Sequence, residues 1–264
     1  MSLTTILDYD FMRNAFLATT IVGIVAGAVG YFLVLRGETF AGHALAHVGF
    51  PGATGAVLLG LSPIAGLSLF TIIAGLGIGL LGNRANRDVA IGIVLTLSLG
   101  LGLLFLHFYT AYAAQATNVL FGNVLGIGGD TVLVMAALGL VSLVALLLIA
   151  RPLLFASLQP ELAEARGVPL GLVSTLFLVI VALSTVEAMQ IVGVLLVFAL
   201  MVAPAATAMR LTRRVATGIA ASIALAVGIA WLSLVLAFLT DWPTSFWITA
   251  LGGLAYFASS LRRR

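Results

Sequence analysis

The chain has 264 residues, of which 62% are hydrophobic and only 8% are charged. A water-soluble domain carries about 25% charged residues, so this composition excludes an ordinary soluble protein. The absence of cysteine excludes disulfides, thiolate metal sites and cysteine nucleophiles. The net charge of +3 rests on twelve arginines and no lysine, and in so apolar a chain it indicates membrane orientation rather than nucleic-acid binding.

Apolar runs of about 20 residues match the thickness of the bilayer hydrocarbon and predict membrane-spanning segments. Because these runs are apolar on all sides, helices are favoured over the alternating strands of a barrel. We predict an all-α polytopic membrane protein, a single domain over residues 1–264, with about nine spans, or eight if one is re-entrant. The predicted spans cover residues 14–35, 40–61, 63–82, 89–108, 131–150, 169–186, 189–209, 216–239 and 245–261.

The arginines predict an orientation for these spans. If the loop after the first span is cytoplasmic, eleven of the twelve arginines, including Arg84 and residues 262–264, fall on that side. Only Arg13 falls on the other side, and the long external loop 109–130 contains no arginine. Because cytoplasmic loops carry an excess of Lys and Arg, we expect an external N-terminus and a cytoplasmic C-terminus.

Two histidines, His43 and His47, stand four residues apart in the second predicted span. On a helix this spacing places both imidazoles on one face, with about 5–6 Å between their Cβ atoms. Imidazole is a good ligand for zinc, nickel, copper and iron, and ionisable groups inside a span are costly unless they have a function. The pair predicts a cation site that needs further ligands. The alternative is that the rings form hydrogen bonds between helices or lie at the cytoplasmic interface.

Two spans carry a proline followed by small residues and a threonine. Pro51 precedes Thr54 in the second span, and Pro204 precedes Thr207 in the seventh. Proline removes a backbone hydrogen bond, and interrupted spans at corresponding places in two halves often mark a transport route. We therefore expect both helices to be interrupted and to line a candidate metal pathway; a simple proline kink is the alternative.

Glu187 is the only acidic residue between positions 170 and 210, and the predicted topology puts it near the external face. One interpretation is an entry ligand on the metal pathway. The other is an acid that extends into the headgroup region. His107, alone near the end of the fourth span, is interpreted as an interfacial histidine.

The longest predicted cytoplasmic loop, residues 151–169, contains a short helix of its own. Pro160 suits the first position of this helix and Gly167 suits its end. Such a helix can press into a groove on a soluble partner, or it can simply connect two spans at the interface. Its side chains are those of Glu161, Leu162, Ala163, Glu164 and Ala165.

These residues resemble the permease subunits of ABC importers for zinc, manganese and iron, over nearly the whole chain. The family shows a Gly-Asp-x-x-x-His run followed by a break, which Gly42, His47 and Pro51 match, although His43 stands where aspartate is usual. Further segments similar to family motifs follow in the same order at residues 88–93, 120–122, 159–167, 190–196 and 200–208.

The resemblance implies a homodimeric permease in a bacterial plasma membrane, served by a cytoplasmic ATP-binding cassette ATPase and an extracytoplasmic metal-binding protein. It implies that His43 and His47 are metal ligands and that the 159–167 segment couples the permease to the ATPase. Nitrogen in place of a carboxylate oxygen at His43 favours zinc over manganese. No cofactor is expected to stay bound, since the metal is the cargo. The remaining contacts are expected to be with membrane lipid, and none with nucleic acid.

Rival classes fit the sequence less well. An intramembrane metalloenzyme needs a His-Glu-x-x-His or similar site, and position 44 is alanine. An ion-coupled secondary metal carrier usually places acids within its spans as proton relays, and these spans hold almost none. The sequence also lacks a Gly-x-x-x-x-Gly-Lys-Ser/Thr phosphate-binding motif, so we expect a transport subunit that is not an enzyme, with ATP hydrolysis in a partner chain.

Overall fold

The computed structural model describes residues 9–82, 87–108, 122–194 and 197–261. Within these ranges the chain forms helices and connecting turns, which confirms the all-α class. A 3-10 turn at Val124–Gly126 lies between the fourth and fifth helices. The described α-helices are α1 (Asp10–Leu35), α2 (Thr39–Leu58), α3 (Pro63–Gly82), α4 (Arg87–Phe108), α5 (Gly129–Leu158), α6 (Pro160–Ala165), α7 (Leu170–Val192), α8 (Val197–Leu211), α9 (Val215–Thr240) and α10 (Thr244–Leu261).

Nine of the described helices correspond to the nine predicted spans, and α6 is the predicted short helix between two of them. Six of the nine are long and apolar enough to cross a membrane by length and composition. Helices α2 and α10 reach the necessary length but are less apolar, and α8 has only 15 residues. The lower apolarity of α2 follows from the histidines, proline and glycines that it carries.

Helices α1 and α7 form the centre of the bundle. In each of them 72% of the most apolar 18-residue stretch is buried inside the bundle, against 22% in α4. Helix α1 packs against α5, α7, α8 and α9, while α7 packs against α1, α2, α3 and α5. Small residues permit this close approach: the Ser222 hydroxyl on α9 donates a 2.7 Å hydrogen bond to the carbonyl of Gly27 on α1.

We expected Pro51 and Pro204 to interrupt their helices, but neither proline does so. Helix α2 continues through Pro51, and α8 continues through Pro204. The fixed φ of proline is compatible with a helix, and within a packed bundle the loss of one hydrogen bond is tolerated. The break in the helical path lies instead at Gly193, where φ is 75° and α7 ends.

Two helices extend further along the chain than the sequence predicted. The sixth span was expected to end at residue 186, but α7 stays helical to Val192. The loop expected from residue 151 is also shorter, because α5 stays helical to Leu158. The predictions made for residues 1–8, 109–121 and 195–196, for Arg84 and for residues 262–264 lie outside the described residues.

Candidate functional site

One face of α2 remains accessible on an otherwise buried helix. Twelve of its 20 residues are buried. Five of the other eight residues recur at helical spacing and form what we call the α2 stripe. The α2 stripe consists of Phe40, His43, His47, Thr54 and Leu58. The sequence therefore predicted correctly that the two histidines share one helix face.

The two imidazoles of the α2 stripe lie side by side. The ring centroids of His43 and His47 are 4.7 Å apart, with an edge-to-face angle of 78° between the rings. Both residues are half-buried in the single chain. His43 also packs edge-to-face on Phe198 of α8, with 5.4 Å between the ring centroids. The two imidazoles therefore lie close together on the accessible face of α2.

Pro51 changes the backbone hydrogen bonding of the same helix. A residue at position 51 would normally donate its N–H to the carbonyl of His47, four residues earlier. Pro51 has no N–H, so that carbonyl loses its helical donor. The loss of this hydrogen bond could be predicted from the sequence, because Pro51 lies four residues after His47.

The threonines of the candidate pathway use their hydroxyl hydrogens locally. Thr54 donates to the carbonyl of Phe50 at 3.1 Å, and Thr207 donates to the carbonyl of Ala203 at 2.8 Å. Thr54 lies on the α2 stripe with the histidines. Pro204 and Thr207 are buried inside the fold, so the structure does not place them on the accessible face. The contact between α2 and α8 is made by Phe198, which spacing alone could not have identified.

Glu187 is fully buried, with 0% of its surface exposed. The idea of an acid extending into the headgroup region is therefore wrong. Its carboxylate lies against Gly139 of α5: a Cβ added at Gly139 would be 2.7 Å from Oε1 of Glu187 and 3.1 Å from Cγ2 of Val25 on α1. Neither carboxylate oxygen has a hydrogen-bond partner among the described residues. Glu187 thus faces α1 and α5, and no described contact brings it to the histidine pair.

The short helix α6 ends as the sequence predicted. Pro160 is its first residue, and Gly167 follows it with a φ of 79°. The N–H of Val168 then returns to the carbonyl of Ala163 at 3.0 Å. One expectation about its surface needs correction, because Ala163 is fully buried where α6 contacts its neighbours and is not available to a partner. The exposed side chains are those of Glu161, Leu162, Glu164 and Ala165.

No group of three or more His, Asp or Glu side chains that could hold a metal occurs among the described residues. Among the described acidic and histidine side chains, His43 and His47 by themselves would therefore supply only two of the ligands that a metal ion needs.

The fold and these features define a polytopic α-helical permease of the membrane, with a polar helix face and an exposed helix between two spans. The model of the ABC 3 transport family matches residues 8–263, and the chain belongs to this family. The resemblance noted from the motifs is thereby confirmed.

Individual relatives match over most of their length. The chain is 35% identical over 211 residues to "Manganese transport system membrane protein MntC" of Halalkalibacterium halodurans, covering 79% of this chain and 72% of the relative. It is 30% identical over 258 residues to "Probable iron transport system membrane protein" of Haemophilus influenzae, covering 97% and 94%. A solved structure, "PsaBC from Streptococcus pneumoniae in complex with Fab", superimposes with a TM-score of 0.87 at 28% identity, covering 98% of this chain and 95% of that chain.

Proposed function

We propose that this chain forms the translocation pathway of an ATP-driven importer for a divalent transition metal. The observation that carries the proposal is the α2 stripe, where His43 and His47 lie together on a helix whose other faces are buried. Two imidazoles and one freed carbonyl hold an ion weakly. Weak binding suits transport, because the ion must be released again.

A second copy of the chain is the proposed cover for the α2 stripe. Imidazoles that face lipid are costly, so a polar stripe on a membrane helix favours burial against protein or a water-filled route. Most soluble and many membrane homo-oligomers close by two-fold symmetry, which brings the same surface of both copies together. A homodimer of this kind would place the histidines of both copies along one pathway.

Zinc is the cargo that the donor set supports best. Imidazole nitrogen suits zinc and iron, whereas carboxylate, carbonyl and water oxygens suit manganese. The names of the two relatives point to manganese and iron, which are therefore the alternatives. The substitution of histidine for the usual aspartate at His43 is the reason for placing zinc first.

The exposed face of α6 is the proposed contact with a cytoplasmic ATP-binding cassette ATPase. Leu162 is 45% exposed between two exposed glutamates, and an exposed leucine on so short a helix favours a protein partner. An extracytoplasmic metal-binding protein would deliver the ion at the opposite face. The arginine distribution supports an external N-terminus and a cytoplasmic C-terminus in a bacterial plasma membrane.

The proposal is tested by reconstituting the permease in liposomes with a cytoplasmic ATP-binding cassette ATPase from the same organism. We expect uptake of labelled zinc that requires ATP, with unlabelled zinc competing better than manganese. Uptake that needs no ATPase and follows an ion gradient would instead establish a secondary carrier. Preferential competition by manganese would keep the importer and overturn the assignment of zinc.

A further inference from the structure

Arg36 occupies a buried position at the turn between α1 and α2. Its guanidinium pairs with the carboxylate of Glu38, and both Nε and Nη2 lie 2.8 Å from Oε1. The side chains of Arg36 and Glu38 are only 8% and 5% exposed, so the ion pair is shielded from water. Removing one partner of such a pair alone is strongly destabilising, which makes the pair a firm part of the turn.

The same guanidinium reaches two helices that are distant in sequence. Nη1 of Arg36 donates to Oγ of Ser157 on α5 at 3.2 Å, and Nη2 donates to Oγ of Ser174 on α7 at 2.5 Å. Its Cζ also lies 5.6 Å from the ring centroid of Phe177 on α7. Arginine suits this position because its planar fork holds several donors in a fixed geometry, which the single ammonium group of lysine does not.

The two serines flank α6. Ser157 lies in the last turn of α5, Ser174 lies near the start of α7, and α6 is the segment between these helices. Glu38 immediately precedes α2, five residues before His43. One side chain therefore connects the two helices that flank α6 to the beginning of the helix that carries the α2 stripe.

We propose that Arg36 is a positioning residue that transmits displacement of α6 to α2 and so links the ATPase to the histidine pair. The proposal rests on the proposed function of α6 as the ATPase contact. When the α6 ends of α5 and α7 shift, Ser157 and Ser174 draw Arg36 with them. The ion pair then moves Glu38 and the start of α2. At 1.5 Å per residue, His43 and His47 lie about 7.5 and 13.5 Å further along this stiff helix and follow it.

Two variants distinguish a role of Arg36 in coupling from a role in the stability of the fold alone. Arg36→Lys keeps a positive charge for Glu38 but cannot bond to both serines. The double variant Ser157→Ala/Ser174→Ala removes the two acceptors and leaves the ion pair intact. In the permease–ATPase complex we expect the zinc transported per ATP hydrolysed to fall at least about tenfold in both, the effect of losing one hydrogen bond to a charged group. ATP hydrolysis itself is expected to stay within about twofold of wild type.

Two control variants change the same residue types, an arginine and a serine, elsewhere in the bundle. Arg151→Lys changes an exposed arginine of α5, and Ser68→Ala changes a serine of α3; both are expected to keep the wild-type ratio. An unchanged ratio in both test variants would overturn the proposal. A proportional fall of uptake and hydrolysis would also overturn it, because that result indicates a structural role alone. A wild-type complex that hydrolyses ATP without ATP-dependent uptake would refute the proposed function itself.

The movement can also be measured directly, because the chain contains no cysteine and engineered labels report single sites. Leu59, directly after α2, and Leu158, the last residue of α5, are 76% and 56% exposed and lie outside the α2 stripe and the exposed face of α6, so they accept a spin label through Leu59→Cys and Leu158→Cys. On ATP binding we expect both labels to change their environment in the wild-type background. With Arg36→Lys we expect only the label on α5 to respond. A response of both labels in the Arg36→Lys background would contradict the linkage.

Discussion

Pro51 lies one helical turn beyond His47 and has no N–H to give to the carbonyl of that residue. The α2 helix nevertheless continues without interruption to Leu58. The missing N–H therefore does not end the helix, and it removes the usual helical donor to the carbonyl of His47. The proposed metal site uses this oxygen together with the two imidazole nitrogens.

Replacing Pro51 by alanine restores the donor to the carbonyl of His47. We expect thermal stability to stay the same or to rise by up to about 1 kcal/mol, from one added hydrogen bond. Metal uptake by the reconstituted complex is expected to fall several-fold, because the oxygen is then engaged. Pro152→Ala in α5 is the control, since it restores a backbone bond away from the α2 stripe. Wild-type uptake in Pro51→Ala would remove the carbonyl from the site.

The Glu187→Gln variant tests whether Glu187 is a metal ligand or a buried acid with a structural role only. The carboxylate lies between α1 and α5 and away from the α2 stripe, so we expect uptake to stay within about twofold of wild type. Thermal stability should be unchanged or higher, because an amide of the same shape has no charge to bury. Scintillation counting of uptake and a thermal melt measure the two effects. Loss of uptake with normal stability would return Glu187 to the metal pathway.

Gly139→Ala tests the packing around the same carboxylate. An added Cβ would lie 2.7 Å from Oε1 of Glu187, closer than van der Waals contact. We expect destabilisation of about 1–3 kcal/mol, the usual range for overpacking. Combining it with Glu187→Ala should recover part of this loss, since the crowding atom is removed. Equal melting temperatures of Gly139→Ala and wild type would show that the close approach is absent.

Substitutions at the two central residues of α6 are expected to have different effects, one on assembly with the ATPase and one on the stability of the permease. Leu162→Asp places a charge on the exposed face and should prevent assembly with the ATPase while leaving the melting temperature of the permease unchanged. Ala163→Leu enlarges a fully buried residue and should lower that melting temperature by overpacking. Co-purification with the ATPase and thermal melts of the permease alone measure both. A Leu162→Asp variant that still binds the ATPase would place the contact elsewhere.

The sequence was sufficient for the fold class and the number of long helices, because composition and run length decide both. It could not locate the end of α7. The residues on both sides of Gly193 are apolar, so hydropathy marks no boundary there, and only a positive φ at a glycine ends the helix. Pro204 suggested a break because proline is costly in a free helix, whereas packing inside the bundle absorbs that cost.

The candidate site was predictable only in part for a similar reason. The spacing of His43 and His47 fixes their common face, since four residues are close to one helical turn. The rotation of each helix about its axis is set by packing against neighbours, so the sequence could not show that Glu187 faces Gly139. The same limit applies to Arg36, whose serine partners belong to helices more than a hundred residues further along the chain.

Uptake of zinc by proteoliposomes that contain the permease and its ATPase, compared between wild type and His47→Ala, tests the transport mechanism most directly. We expect uptake to fall at least about tenfold in His47→Ala, since weakening even a supporting group of a metal site costs that much. The assembled complex should elute normally on size exclusion. His107→Ala, which changes an exposed histidine at the end of α4, should transport like wild type. Wild-type uptake by His47→Ala would contradict a metal pathway along the α2 stripe.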